Sequence, residues 1–107
     1  MAKHILHVES WPASPEAMEE FNRWYDEVHL PEVVALDGFV AARRYAPKEG
    51  YGPYVTQYEI EGDPEEAVKS VSAAAAAGKL NMSDTMRMDP VPKMRIMEVV
   101  TEYRPES

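Results

Sequence analysis

The sequence predicts an α+β fold, a four-stranded antiparallel sheet with two helices on one face. Three observations predict it. Short runs rich in β-branched and aromatic residues stand at 3–9, 39–46, 54–61 and 93–103. Two of the segments between them carry helix-start signals. The order is therefore β-α-β-β-α-β, and no linker or repeat interrupts the 107 residues, a length that suits one domain spanning 1–107.

Residues 3–9 (KHILHVE) form strand one, which Trp11-Pro12 ends. Ser14 then caps a helix with Pro15 in its first position, and Glu16, Glu19 and Glu20 favour the positive end of the dipole. Met18, Phe21, Trp24, Tyr25 and Val28 recur at the helical period and make one apolar stripe. Pro31 restricts Leu30, so the helix ends or kinks there and a short turn resumes over 32–36. Asp37-Gly38 marks a turn into strand two, 39–46.

A breaker-rich loop, PKEGYGP, leads to strand three, 54–61, which alternates cleanly. Asp63 and Pro64 repeat the cap-and-proline start for a second helix through Val68, Val71 and the run Ala73 to Ala77, with Gly78 as its C-terminal cap. Alanine favours the helix and lets it sit close to a sheet. Residues 79–92 make a long connection carrying Met82, Met86 and Met88, read either as flexible core filler or as a mobile lid. Residues 93–103 form strand four, and the tail from Arg104 frays.

This order is that of the ferredoxin-like split βαβ unit. Strands two and four carry apolar side chains at both parities: Phe39 and Ala41 against Val40 and Ala42, Met97 and Val99 against Ile96 and Val100. A strand with one wet face alternates more cleanly. The face away from the helices is therefore expected to be covered by a second subunit, which makes the chain a homodimer.

A net charge of −8 opposes nucleic-acid backbones and anionic membranes. Without cysteine there is no disulfide frame and no thiolate nucleophile or ligand. Three histidines, two of them (His4 and His7) on opposite faces of strand one, give no metal spacing. No phosphate loop, serine elbow or dinucleotide fingerprint is present, so no cofactor is expected. The start of the chain does not resemble a signal peptide and no run is long enough to span a membrane, which points to the cytoplasm.

The first helix concentrates the chemistry. With Phe21, Tyr25 and Val28 facing the core, Asn22, Asp26 and His29 fall on the flank of the stripe. His29 stands in the last turn, one turn from Tyr25, with Asp26 able to hold its proton or fix its tautomer. That suits general acid–base work. The plain alternative is a histidine that satisfies the helix's last carbonyls. Tyr54 and Tyr58 share a face of strand three, and Arg44 lies opposite Arg43 and Tyr45 on strand two. A mid-strand arginine is at a rim, paired, or holding an anion.

The stretch Phe21 to Tyr45 (FNRWYDEVHLPEVVALDGFVAARRY) resembles the EthD-like branch of the dimeric α+β-barrel superfamily. The likeness lies in the aromatic pair followed by histidine and x-Pro (WYDEVHLP) and in the turn LDGFVAARRY, where Asp37 replaces a common proline. The resemblance implies homodimers with facing sheets and a pocket between each sheet and its helices. It covers isomerases, polyketide cyclases and cofactor-free monooxygenases, and His29 matches the histidine that the isomerases place at the end of the first helix. The isomerase-type cysteine is absent.

These readings predict a cofactor-independent, proton-transferring enzyme (isomerase, cyclase or lyase) acting on a small aromatic, lactone or polyketide-like molecule. His29 is the acid–base, Asp26 orients it, and Tyr58 stabilises developing negative charge. Trp24, Tyr25, Arg44, Tyr54 and His7 are the candidate substrate-binding residues. The alternatives are a monooxygenase of the same fold, cofactor-free or haem-using, and a non-catalytic small-molecule-binding protein of a catabolic cluster.

Overall fold

The computed structural model describes residues 3–49 and 52–105. Strand β1 (His4–Ser10) and strand β3 (Tyr54–Ile60) alternate as expected, sending Leu6, Val8 and Ser10, and Tyr54, Thr56, Tyr58 and Ile60, to one buried face. With β2 (Phe39–Tyr45) and β4 (Lys93–Glu98) they form one sheet in the order β2-β3-β1-β4, antiparallel at every pairing. This is the expected ferredoxin-like arrangement. Part of the 47–53 loop lies outside the described residues.

Helical residues 15–34 cross the buried face. Ser14 accepts a hydrogen bond from the Ala17 amide at 3.2 Å, with Pro15 at the start of a short 3₁₀ turn (Pro15–Ala17). Such a cap contributes about 1 kcal/mol. Helix α1 (Met18–Trp24) follows, then a π-helical turn (Tyr25–His29), then α2 (Leu30–Val34). The helix does not end at Leu30. A proline inside an α-helix clashes with the carbonyl four residues back. Here the ladder widens just before Pro31, with the Leu30 amide reaching the Tyr25 carbonyl, and the chain passes the proline still helical.

Helix α3 (Pro64–Ala76) begins on Asp63, whose carboxylate accepts from the Glu65 amide at 2.9 Å. It ends as Gly78 turns to φ 72°, with Lys79 and Gly78 donating to the Ala74 and Ala75 carbonyls. Its buried residues are Ala67 and Ala74, two turns apart. Ala67 lies so close to Gly38 that a side chain there would stand 3.0 Å from the Ala67 Cβ. Alanine thus brings the helix close to the sheet.

Two features depart from the sequence pattern. A bulge between Phe39 and Ala41 shifts the pairing by one residue. Phe39 and Ala42 then share the helix face, and the exposed Val40 belongs to the bulge, so the double parity of β2 arises locally. Strand β4 stops at Glu98 instead of 103: the Val99 amide bonds the Lys3 carbonyl, and the described part of β1 offers no further rung. Residues of β4 are exposed throughout.

The buried side chains fall into two clusters. Leu6, Val8, Val33, Phe39, Tyr58, Ile60 and Ala67 make one, and Phe21, Trp24, Tyr25, Tyr54 and Met86 the other, with Leu30 against both. The 79–92 connection is fastened as a strap. Met86 pairs with Pro12 as an isolated bridge, flanked by hydrogen bonds from Ala13 to the Thr85 carbonyl and from Arg87 to the Trp11 carbonyl. Among the described residues, no helix is long and apolar enough to cross a membrane.

Candidate active site

The π turn decides where His29 points. Each residue of a π turn advances the side chain around the axis by less than an α-helical residue does, so His29 falls back over Tyr25. The two rings meet edge to face with centroids 5.0 Å apart, and the Trp24 indole stacks on the imidazole at 4.7 Å and 24°. Burial lowers the His29 pKa to about 4, because the imidazolium has lost most of its water. The Glu32 carboxylate opposes that shift and the Arg44 guanidinium adds to it. His29 is therefore a neutral imidazole at pH 7. Its Nδ1 is shielded from solvent and meets no hydrogen-bond partner. Ring packing holds it in place.

His29 lines a cavity of about 330 Å³ between the sheet, the helices and the strap. Leu6, Val8 and Tyr58 contribute from the sheet, Tyr25 and Val33 from the first helical run, Val71 and Ala75 from α3, and Met82, Met86 and Met88 from the strap. Its polar side chains are His29, Tyr25 and Tyr58. Burial, with the Tyr25 phenol adding, holds Tyr58 protonated far above the usual tyrosine range. The Tyr58 hydroxyl lies beside that of Tyr25 without reaching a hydrogen bond of regular geometry. The cavity thus joins a neutral nitrogen base and a phenol that keeps its proton, in apolar surroundings.

Asp26 is placed differently from its expected role. The turn that carries His29 toward Tyr25 carries it away from Asp26, which lies exposed and accepts from Arg44 Nη1 at 2.7 Å. Arg44 also donates to Asn22 at 2.9 Å, and its guanidinium lies over the Tyr25 ring, 4.4 Å from the centroid. Arg44 is the paired arginine of the sequence alternatives, packed behind Tyr25 and outside the cavity. Tyr54 stays on that side too, accepting from Asn22 at 3.3 Å and packing on Phe21. Trp24 supports the cavity from behind His29. His7 sits on the opposite sheet face, against Gln57 and Glu9, because its parity in β1 is that of Ile5.

Two residues that sequence reasoning passed over hold the strap. Glu32 accepts from both the backbone amide and the side-chain amide of Asn81, and the Asn81 carbonyl accepts from Trp24 Nε1 at 2.7 Å. The partners are 49 and 57 residues apart, so no local pattern signals them. A larger, open depression of about 510 Å³ lies on the outer side of Trp24 and Met82, between acidic side chains and Arg23. Among the described residues, no cluster of three or more His, Asp or Glu could hold a metal ion.

The sequence matches no protein-family model and no functionally described protein. The fold is similar to that of the haem-degrading protein MhuD of Mycobacterium tuberculosis, solved with two haems in its active site. That match has a TM-score of 0.64 and 18% identity over 94% of this chain and 99% of that one. It is also similar to a protein of Shewanella loihica PV-4 named provisionally as a monooxygenase, with a TM-score of 0.60 and 9% identity over 95% and 99% of the two chains. At these identities the likeness is one of fold, the ferredoxin-like α+β class. Haem does not fit the cavity formed here. A neutral imidazole is a competent iron ligand. However, the space is at the small end for ligand pockets, and no Lys or Arg lines it to meet two propionates.

Proposed function

We propose that the chain is a cofactor-independent monooxygenase that deprotonates a small phenol or enol in the cavity and lets the resulting anion react with dioxygen. The observation that carries this reading is the neutral, half-buried His29, its Nδ1 shielded from solvent, facing an apolar cavity beside the protonated Tyr58. Isolated in that cavity, an imidazolium is unfavourable. Formed together with a substrate anion it is half of an ion pair, so proton transfer from a bound substrate is favoured over protonation from water.

From a phenol, His29 takes the O–H proton. A ring carbon of the phenolate then bonds to O₂, giving a peroxide anion, which the imidazolium protonates to the hydroperoxide. Breaking the O–O bond releases hydroxide, which takes the ring C–H proton and leaves as water while the second C=O forms, so phenol and O₂ become quinone and water and His29 is again neutral. Tyr58 donates a hydrogen bond to the oxygen that carries charge. The two neighbours with oxygenase or haem-degrading descriptions support this reading over an isomerase, which would share only the first step.

An oxygen electrode tests it. With a dihydroxynaphthalene as substrate, enzyme-dependent uptake of one O₂ per quinone formed is expected. Exchange of substrate protons with deuterated solvent, without oxygen uptake, would instead establish the isomerase-type reading.

The proposal takes residues 1–107 as one dimeric α+β-barrel domain of the EthD-like branch, acting in the cytoplasm. Ile5, Val55 and Met97 share the sheet face opposite the helices, and Val99 is exposed beyond β4. The same face carries His7, Glu9, Gln57, Glu59, Lys93 and Arg95, so a second copy packed on it would combine these apolar contacts with charged ones. Sedimentation at micromolar concentration is expected to give twice the 12.1 kDa chain mass, and Val99→Glu to reduce it. A wild-type monomer would end the dimer proposal.

A further inference from the structure

We propose that the cavity takes an uncharged, flat molecule of one or two fused rings with its reactive oxygen at one end, and that it rejects the same molecule once it carries a carboxylate, sulfonate or phosphate. This rests on the cavity's being the active site. It goes further in assigning the ligand's charge and its orientation.

The orientation follows from where the polar groups lie. Tyr25 and His29 touch, and the Tyr58 hydroxyl lies beside that of Tyr25, so all the hydrogen-bonding side chains are at one place on the wall. The rest of the lining is hydrocarbon and thioether: Leu6, Val8, Val71, Ala75 and the strap methionines. Methionine adapts its shape to a ring and places sulfur at the ring edge. A ligand with one polar end and one apolar end fits only one way round.

The charge follows from the cations. No Lys or Arg lines the cavity. Arg44, whose charge acts on both His29 and Tyr58, is committed elsewhere: its two terminal nitrogens bond Asp26 and Asn22, and its face lies on the far side of the Tyr25 ring. An anionic group seated against this lining would give up water and meet no fixed cation, which is unfavourable. The volume, about 330 Å³, sets the limit of one or two fused rings.

The test is a binding comparison made without oxygen, so that turnover plays no part. Protein labelled with ¹³C at the methionine methyls is titrated with 1-naphthol and separately with 1-naphthol-4-sulfonate. Met86 and Met88 line the cavity, and Met97, paired with Ile5 on the far sheet face, serves as the reference. The expected result is a saturable ring-current shift of Met86 and Met88 by naphthol, Met97 unmoved, with an affinity at least about tenfold above that of the sulfonate. Equal or tighter binding of the sulfonate would overturn the proposal, as would a failure of naphthol to move Met86 and Met88. Naphthol binding without later oxygen uptake would remove the oxygenase reading and leave the ligand class standing.

Discussion

Replacing His29 by alanine is expected to lower the oxygen-dependent turnover of the folded protein by about 10²–10⁴-fold, with a loss of stability limited to what the ring packed on Trp24 and Tyr25 contributes, about 1 kcal/mol. The sequence left open a histidine that only satisfies the last carbonyls of a helix. The structure removes that role, because the helix runs on through α2 to Val34. His29 forms no hydrogen bond through Nδ1, so its replacement breaks none there. The loss should therefore fall on rate. The pH dependence of kcat/KM follows from the lowered pKa. The free enzyme holds the base form from neutrality downward, and the rate falls only as pH passes through about 4. A fall centred near 6.5 would show an imidazole in contact with water and would contradict the buried base. Asp26→Asn is expected to leave that profile in place, since Asp26 bonds Arg44.

Folding stability should depend on the same group. In the unfolded chain His29 titrates near 6.5, and in the folded chain near 4. Between those values the unfolded state binds more protons, so stability rises with pH there. The contribution is complete above about 6.5 and is lost as pH falls toward 4. Between pH 7.5 and 4.5 it amounts to about 2–3 kcal/mol at most, less whatever water reaches the ring. Glu32, which stabilises the imidazolium, reduces it, and Arg44 enlarges it. Urea midpoints at the two pH values measure the whole protein's change. The share due to His29 is the part that disappears in His29→Phe, which keeps an aromatic ring against Trp24. Equal pH dependence in both proteins would show that burial of the imidazole contributes nothing.

Much of the fold was legible because it is written in short-range patterns. Alternation placed β1 and β3, and the Ser14-Pro15 and Asp63-Pro64 pairs started both helical runs. Gly78 ended the second, and the period of Phe21, Tyr25 and Val28 put His29 on the flank of the apolar stripe. What was not legible depends on partners distant in sequence or on a local change of period. The π turn moved His29 from Asp26 to Trp24, and Pro31 hinted only that something must give. The bulge at Val40 changed the meaning of parity in β2. The described pairing of β4 ends at Glu98 opposite His4, a limit that no residue of β4 encodes. The strap methionines were noticed as a group, but their place on the cavity wall comes from the Pro12–Met86 bridge and the hold of Glu32 on Asn81.

The widened turn at Tyr25–His29 acts within the molecule as a dislocation acts within a crystal. One residue more than the regular repeat is fitted into the row, and the two sides keep their own order but fall out of phase. Upstream, Phe21 and Tyr25 belong to one packed cluster; downstream, Val33 belongs to the other. Free volume in a solid gathers at such a fault, where neither lattice can fill it. Here it gathers as the cavity, whose wall draws Tyr25 and Met86 from one side and Leu6, Val8, Val33 and Tyr58 from the other. Deleting one residue from the turn is expected to bring the two halves back into step and to turn His29 away from Tyr25, which would reshape the cavity wall.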